Sequence, residues 1–121
     1  MGEHTVSSFD QELDEIGKLI REMADLSSAM VGASIRALVD ADQGAAQRVI
    51  SDDAVMDARQ RELDDRSIKL IARRQPMAQD LRSVLGAIRM AADFERIGDL
   101  AKNVAKRVGA VGQATTPTAL S

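Results

Sequence analysis

The 121-residue sequence predicts an all-α fold, an elongated antiparallel up-down-up bundle of three helices. Three observations carry that expectation. Phe9 and Phe94 are the only aromatic residues, so the core must be built from Leu, Ile, Val, Met and Ala, a set that suits interdigitating helices better than a sandwich or barrel. The apolar share of 45% is enough to form one such core in a chain of single-domain length. Finally, apolar residues recur three and four apart with only two interruptions, both short, and short connections make consecutive helices pack antiparallel.

The first helix is read from Phe9, whose stripe continues through Leu13, Ile16, Ile20, Met23, Met30, Val31, Ile35 and Leu38. The segment "VDADQGAA" interrupts it, with Asp42 as the expected N-cap of the next helix and Gly44 as a breaker. In the second helix Val49, Met56, Leu63 and Leu70 fall seven apart, the spacing of helices packed nearly parallel or antiparallel. It should end around Arg74 and Gln75, because Pro76 fits the first turn of a new helix far better than the middle of an old one. The third helix is expected to run to about Val108, where Gly109 and Gly112 read as stop signals and "QATTPTALS" as linker. Residues 1–110 would then form the bundle and 111–121 a linker or tail. Three helices of about 30 residues make rods of about 45 Å.

Composition excludes several classes of function. The formal charge of −3 is spread with both signs interspersed, leaving no basic stripe for nucleic acid. The absence of cysteine removes disulfides and thiolate metal sites. No apolar run approaches the roughly 18 residues of a membrane span, and "MGEHTVSSFD" has neither a basic nor an apolar signal region, so a cytoplasmic protein without membrane insertion is expected. Val6 also stands where a myristoylation signal after Gly2 needs Ser or Thr. His4, the sole histidine, has no ligand or triad partner near it in sequence, and no nucleophile lies beside a base, so catalysis is not expected.

One segment departs from plain scaffolding. In "DFERIGDLAKN" (Asp93–Asn103) the face carrying Met77, Leu81, Val84, Leu85, Ile88, Ala91 and Ala92 turns polar at Glu95 and Asp99. Phe94, Ile97, Ala101, Val104 and Val108 form a second apolar row, which predicts that the helix changes the face it buries. The second helix carries a matching acidic stretch, with Asp53 near the Val49/Met56 row and Asp57 one turn later. If the turn is centred near Gln75, facing residues have numbers adding to about 150, which brings Asp53 and Asp57 level with Glu95 and Asp99.

Converging carboxylates raise one another's pKa unless water, a basic side chain or a metal compensates them. A local pair such as Asp99 with Lys102 is one reading. The other is a divalent metal, Mg²⁺, Mn²⁺ or Fe, on hard oxygen ligands from Glu95, Asp99, Asp53 and Asp57, with Gly98 keeping the groove uncrowded. A di-metal carboxylate enzyme is disfavoured because Glu-x-x-His spacing is missing. A metal-free structural adaptor remains the plain alternative. Asp93 points away as a surface residue, and Ser67 and Gln60 fall on the seam of the second helix, where polar residues fix register.

Two segments resemble the PhoU family of phosphate-signalling and phosphate-transport regulators. "RRQPMAQDLR" (Arg73–Arg82) is similar to the family's opening of the third helix, and "DFERIGDLAKNVAK" (Asp93–Lys106) to its ERIGD…N segment, in matching order and spacing. "VISDDAVMDARQREL" and "EHTVSSFDQEL" extend the likeness across residues 3–108. The resemblance implies a cytoplasmic, non-enzymatic adaptor working beside a phosphate ABC transporter ATPase and a sensor histidine kinase to hold the phosphate-starvation response off. It also implies metal on Glu95 and Asp99, with Asp53 and Asp57 facing. The family has a tandem of two bundles and this sequence matches the first alone, so the row Phe94, Ile97, Ala101, Val104 and Val108 is expected to be exposed without its usual cover, with self-association replacing it.

Overall fold

The computed structural model describes the backbone of residues 2–114 and the side chains of residues 8–111. Three helices account for it: α1 (Gly2–Asp40), α2 (Gln43–Arg74) and α3 (Ala78–Ala114). At 1.5 Å per residue they span about 58, 48 and 56 Å, longer than the sequence suggested. The extra length comes from α1 beginning before Phe9 and α3 running through Gly109 and on to Ala114. Glycine inside a helix is tolerated at a cost of about 1 kcal/mol, and neighbouring residues carry the helix across Gly109. The expected linker lies, from residue 115 onward, outside the described residues, as does the side chain of His4.

The connections follow local chemistry. Ala41 takes a left-handed conformation (φ 53°), and Asp42 N–H reaches back to the Ala37 carbonyl at 3.2 Å, closing α1. Asp42 then caps α2, its carboxylate accepting from Ala45 N–H at 3.0 Å. Gly44 lies inside the first turn of α2 rather than breaking the chain. At the far end Gln75 is left-handed (φ 45°) and donates its N–H to the Ile71 carbonyl at 3.0 Å, while Arg73 and Arg74 place positive charge at the helix C-terminus. Pro76 precedes α3, which starts two residues later than expected.

Each helix feeds the core with rows at seven-residue spacing. In α1 these are Phe9, Ile16, Met23, Met30 and Ala37, and in α2 Val49, Met56, Leu63 and Leu70, all buried. In α3 they are Val84, Ala91, Gly98 and Ala105, beside Ala87, Ala101 and Val108, with Phe94 half-buried. The α3 rows run unbroken through Glu95 and Asp99, so the expected change of buried face does not occur. Ala101 and Val108, expected on a second exposed row, are core residues. Conversely Val31, Ile35 and Leu38, read as core from their apolarity, are exposed, because Ala33, Ser34 and Ala37 hold the buried positions. Small residues at those positions let the helices approach closely, and the bulkier neighbours are displaced to the flank. Ser27 and Ser34 satisfy their hydroxyls on the carbonyls of Ala24 (2.9 Å) and Val31 (2.8 Å).

Gly98 marks the closest helix approach that the glycines report. A Cβ there would meet Met30 Sδ at 3.3 Å, Met30 Cε at 3.4 Å and Met56 Cε at 3.6 Å. The glycine therefore makes room for core methionines of α1 and α2 rather than for the carboxylate groove. The connections of two and three residues between the helices fix directions: α3 lies parallel to α1 and antiparallel to α2.

Candidate acidic groove between the second and third helices

Alongside its apolar row, α2 carries a second row at the same period: Asp53, Gln60, Ser67 and Arg74. Asp53 and Ser67 are buried and the other two half-buried. A core-facing row that is polar throughout is costly unless each group finds a partner. Arg74 reaches Glu12 of α1 at 3.2 Å. Ser67 Oγ is buried with no hydrogen-bond partner among protein atoms.

Asp53 has a partner that the sequence reading missed. Lys102 Nζ lies 2.9 Å from Asp53 Oδ2, although the carboxylate itself is only 7% exposed. The expected local pair between Asp99 and Lys102 is thus replaced by a tether between helices. Lys102 belongs to the half-buried flank row Leu81, Ile88, Glu95 and Lys102 of α3, again seven apart. That row is apolar in its first half and charged in its second, and it opposes the polar row of α2. The spacing from Glu95 to Lys102 was the signal available in the sequence.

The helices face each other a few residues from the expected register, as the pairs Gly98 with Met56, Lys102 with Asp53, and Gln43 Nε2 with the Val108 carbonyl (3.3 Å) show. The offset moves Glu95 toward Asp57. Accordingly, partial burial first, then the carboxylates of Asp99, Asp57 and Asp53 in that order, push the Glu95 carboxyl above its usual range, while Arg96 partly offsets them. Lys102 is held above the ordinary lysine range, first by its hydrogen bond to Asp53 and then by the charge of Asp53, against an opposing effect of burial that exceeds the further contribution of Asp99 or of Asp57. Two separate side chains therefore sense the same acidic neighbours. The fold does bring Glu95, Asp99, Asp53 and Asp57 into one electrostatic neighbourhood. Asp93, as expected, is an exposed surface residue, paired locally with Arg96 at 3.3 Å.

The donors suit a hard divalent cation in kind and charge, and Asp53 Oδ1 is buried with no hydrogen-bond partner among protein atoms. The geometry shown is a lysine-compensated arrangement, not a closed cage. Among the described residues no three Asp, Glu or His side chains converge tightly enough to hold an ion, and Lys102 occupies the other Asp53 oxygen.

Fold and groove together define a class: a long three-helix bundle whose polar seam is concentrated at one level between α2 and α3. The family model for the PhoU domain matches residues 20–108, and the chain belongs to that family. It is 50% identical over 118 residues, 98% of its length, to the phosphate-specific transport system accessory protein PhoU homolog of Rhizobium meliloti (strain 1021). The homologs of that name from Caulobacter vibrioides (strain NA1000 / CB15N) and Pseudomonas aeruginosa are each 36% identical, over 100% and 86% of the chain. The chain spans about half the length of these relatives, from 43% to 53%. No solved structure matches it. Among the described residues no helix is long and apolar enough to cross a membrane.

Proposed function

We propose that this chain is a non-enzymatic, cytoplasmic adaptor of phosphate transport and phosphate signalling. It would act with a phosphate ABC transporter, through the ATPase subunit, and with a sensor histidine kinase to repress the phosphate-starvation response. The observation that carries this reading is the 50% identity, over almost the whole chain, to a relative named as an accessory protein of phosphate-specific transport. The non-enzymatic part rests on the same relative, whose name describes an accessory protein. Binding of purified chain to the isolated ATPase subunit and to the kinase's cytoplasmic portion, followed by light-scattering interferometry, tests it. Saturable binding to either is expected, and no binding to both contradicts the adaptor role.

The same reading gives the groove a ligand. A divalent metal, Mg²⁺, Mn²⁺ or Fe, would be held by Glu95 and Asp99 of α3 with Asp53 and Asp57 of α2, fixing the relative geometry of the two helices. Supporting it are the hard oxygen donors, the partial burial and the neighbouring carboxylates that together raise Glu95, and the unpartnered Asp53 Oδ1.

Self-association is a further part of the proposal. Leu38 of α1 lines one groove with Val104, Val108 and Val111 of α3, and Leu38, Val104 and Val111 are 65%, 36% and 59% exposed. Ile97 and Leu100 continue that face along α3. This row differs from the expected one, since Ala101 and Val108 have moved into the core and Leu100 and Val111 join. Burying it against a second copy would remove apolar surface from water. Light scattering over a concentration series should report dimers; a monomer at high concentration contradicts this part.

A further inference from the structure

The exposed apolar face shared by α1 and α3 carries two charges, and their placement decides what fits it. Along α3, Met90, Ile97 and Val104 stand seven apart, as do Asp93, Leu100 and Arg107, so the six form one stripe of the helix. Leu100, at its middle, is 66% exposed, and the other three apolar residues are exposed as well. Beside the stripe, Leu38 of α1 lines a groove with Val104 and Arg107, and exposed Val31 and Ile35 extend the apolar surface along α1. Asp93 and Arg107 lie one heptad before and one heptad after Leu100, with opposite charges. Arg107 has no ion pair among the described residues, and Asp93 has only the exposed local one with Arg96, a contact of little energetic weight.

We infer that two copies of this chain pair through this face with their α3 helices antiparallel about a twofold axis at Leu100, Asp93 of each copy meeting Arg107 of the other. This rests on the self-association proposed above and deepens it by fixing the direction and register of the pair.

The argument is one of self-complementarity. In a twofold dimer the same patch serves both copies, so a residue that meets a second residue is met by it in turn. For antiparallel helices crossing level with Leu100, facing residues have numbers adding to about 200. Leu100 then packs on its own counterpart, Ile97 lies near Val104, and the two charges of the stripe fall opposite each other twice. The same residues penalise the alternatives. A parallel pair would set Asp93 against Asp93 and Arg107 against Arg107, like charges in a partly desolvated seam. Sliding the antiparallel pair by one heptad would set Leu100 against Asp93 or against Arg107, covering a charge with leucine instead of pairing it. An apolar stripe alone specifies neither direction nor register; the two charges specify both.

A partner of other chemistry gains less. A helix with acidic flanks would match Arg107 but repel Asp93, and a basic one would do the reverse, whereas a second copy satisfies both. Pairing also leaves the α2 flank of α3 open, because Glu95 and Lys102 lie on nearly the opposite side of the helix from Leu100.

Thiol cross-linking of the full chain tests the register, and the sequence has no cysteine to interfere. Leu100→Cys should cross-link the dimer through a short bismaleimide, since the two copies' side chains meet on the axis. Ser83→Cys should not, because antiparallel pairing about Leu100 separates the two copies' position 83 by twice 17 residues, about 50 Å. A charge exchange, read as the dimer dissociation constant by light scattering at fixed ionic strength, is the second arm. Asp93→Arg or Arg107→Asp alone puts like charges at both contacts and should weaken the dimer about tenfold or more. The two together restore opposite charges and should recover it to within about threefold of the wild type, with circular dichroism confirming that each variant is folded. A dimer that fails to cross-link through Leu100→Cys, cross-links through Ser83→Cys, or is not recovered by the double exchange leaves self-association standing and overturns this register. A monomer at high concentration overturns both and gives the face to a different protein.

Discussion

Alanine at Gly98 offers a quantitative probe of the seam that positions the groove. Any glycine-to-alanine change inside a helix gains about 0.8–1 kcal/mol of intrinsic propensity. At Gly86, also within α3, a new Cβ meets nothing within 4 Å, so that gain should appear nearly whole. At Gly98 the new methyl would stand 3.3 Å from Met30 Sδ and 3.4 Å from its Cε. Met30 is fully buried, so its flexible thioether can yield only by disturbing Met56 and the packing around it. Overpacking of this kind costs about 1–3 kcal/mol. Gly98→Ala is therefore expected to be neutral or destabilising by up to about 2 kcal/mol, against a stabilisation of about 0.8 kcal/mol for Gly86→Ala. Urea denaturation of both variants measures the gap through their midpoints at constant m-value. Equal stabilisation by the two substitutions would refute the close approach at Gly98 and, with it, the register that sets Glu95 and Asp99 against α2.

Other expectations concern single polar groups. Glu95, raised above its ordinary pKa of 4.5, is a group whose folded value exceeds its unfolded one. Its charge therefore costs stability at neutral pH, and that cost disappears as pH falls through the folded value. Glu95→Gln should stabilise the metal-free protein at pH 7 by about 0.5 kcal/mol, a solvent-screened figure, and flatten the rise in stability on mild acidification. Thermal melts from pH 7 to pH 4.5 check both, and an unchanged pH profile contradicts the shared acidic field. Ser67→Ala removes a buried hydroxyl with no partner and should be neutral to stabilising by about 1 kcal/mol, where loss of a real hydrogen bond would destabilise. Gln75→Gly relieves a left-handed residue at the α2 C-cap, and a gain of about 0.5–1 kcal/mol in urea denaturation is expected; destabilisation would mean that the side chain contributes more than the backbone conformation costs.

The sequence carried the architecture because its strongest signals are local. The row Val49, Met56, Leu63 and Leu70 is fully buried, as read, and Asp42 caps α2 as its position before an amphipathic run indicates. Misreadings came where residue size competes with hydrophobicity. Ala33, Ala37, Ala91, Ala101 and Ala105 are core because close-packed helices need small side chains, whereas Ile35 and Leu38, the more apolar choices, are pushed outside. The same effect produced the expected change of face in α3. With Gly98 and Ala105 counted as core, the row never breaks, and Glu95 falls on its flank.

For the carboxylates, antiparallel geometry placed them near one another, as the field that Asp99, Asp57 and Asp53 exert on Glu95 reflects, but not in register, since Asp53 stands opposite Lys102. The seven-residue step from Glu95 puts Lys102 on the flank of the seam, but which carboxylate it meets, 49 positions away, depends on which rotamer reaches across. The polar row Asp53, Gln60, Ser67 and Arg74 was visible in part, through Asp53, Gln60 and Ser67; Arg74 was not, since a charged residue near a helix end looks like a solvated one until its burial is known.

The metal reading proposed for the carboxylates between α2 and α3 is open to one decisive measurement. Its most direct test is the thermal midpoint of the chelated protein and of the same protein with added Mn²⁺, compared between wild type and a Glu95→Gln/Asp99→Asn variant. Ligand at 100 times its dissociation constant stabilises by about 2.7 kcal/mol, a rise of several degrees for a domain of this size. The account expects that rise in the wild type and its loss in the variant. A flat wild-type response, or an equal rise in both proteins, would contradict it.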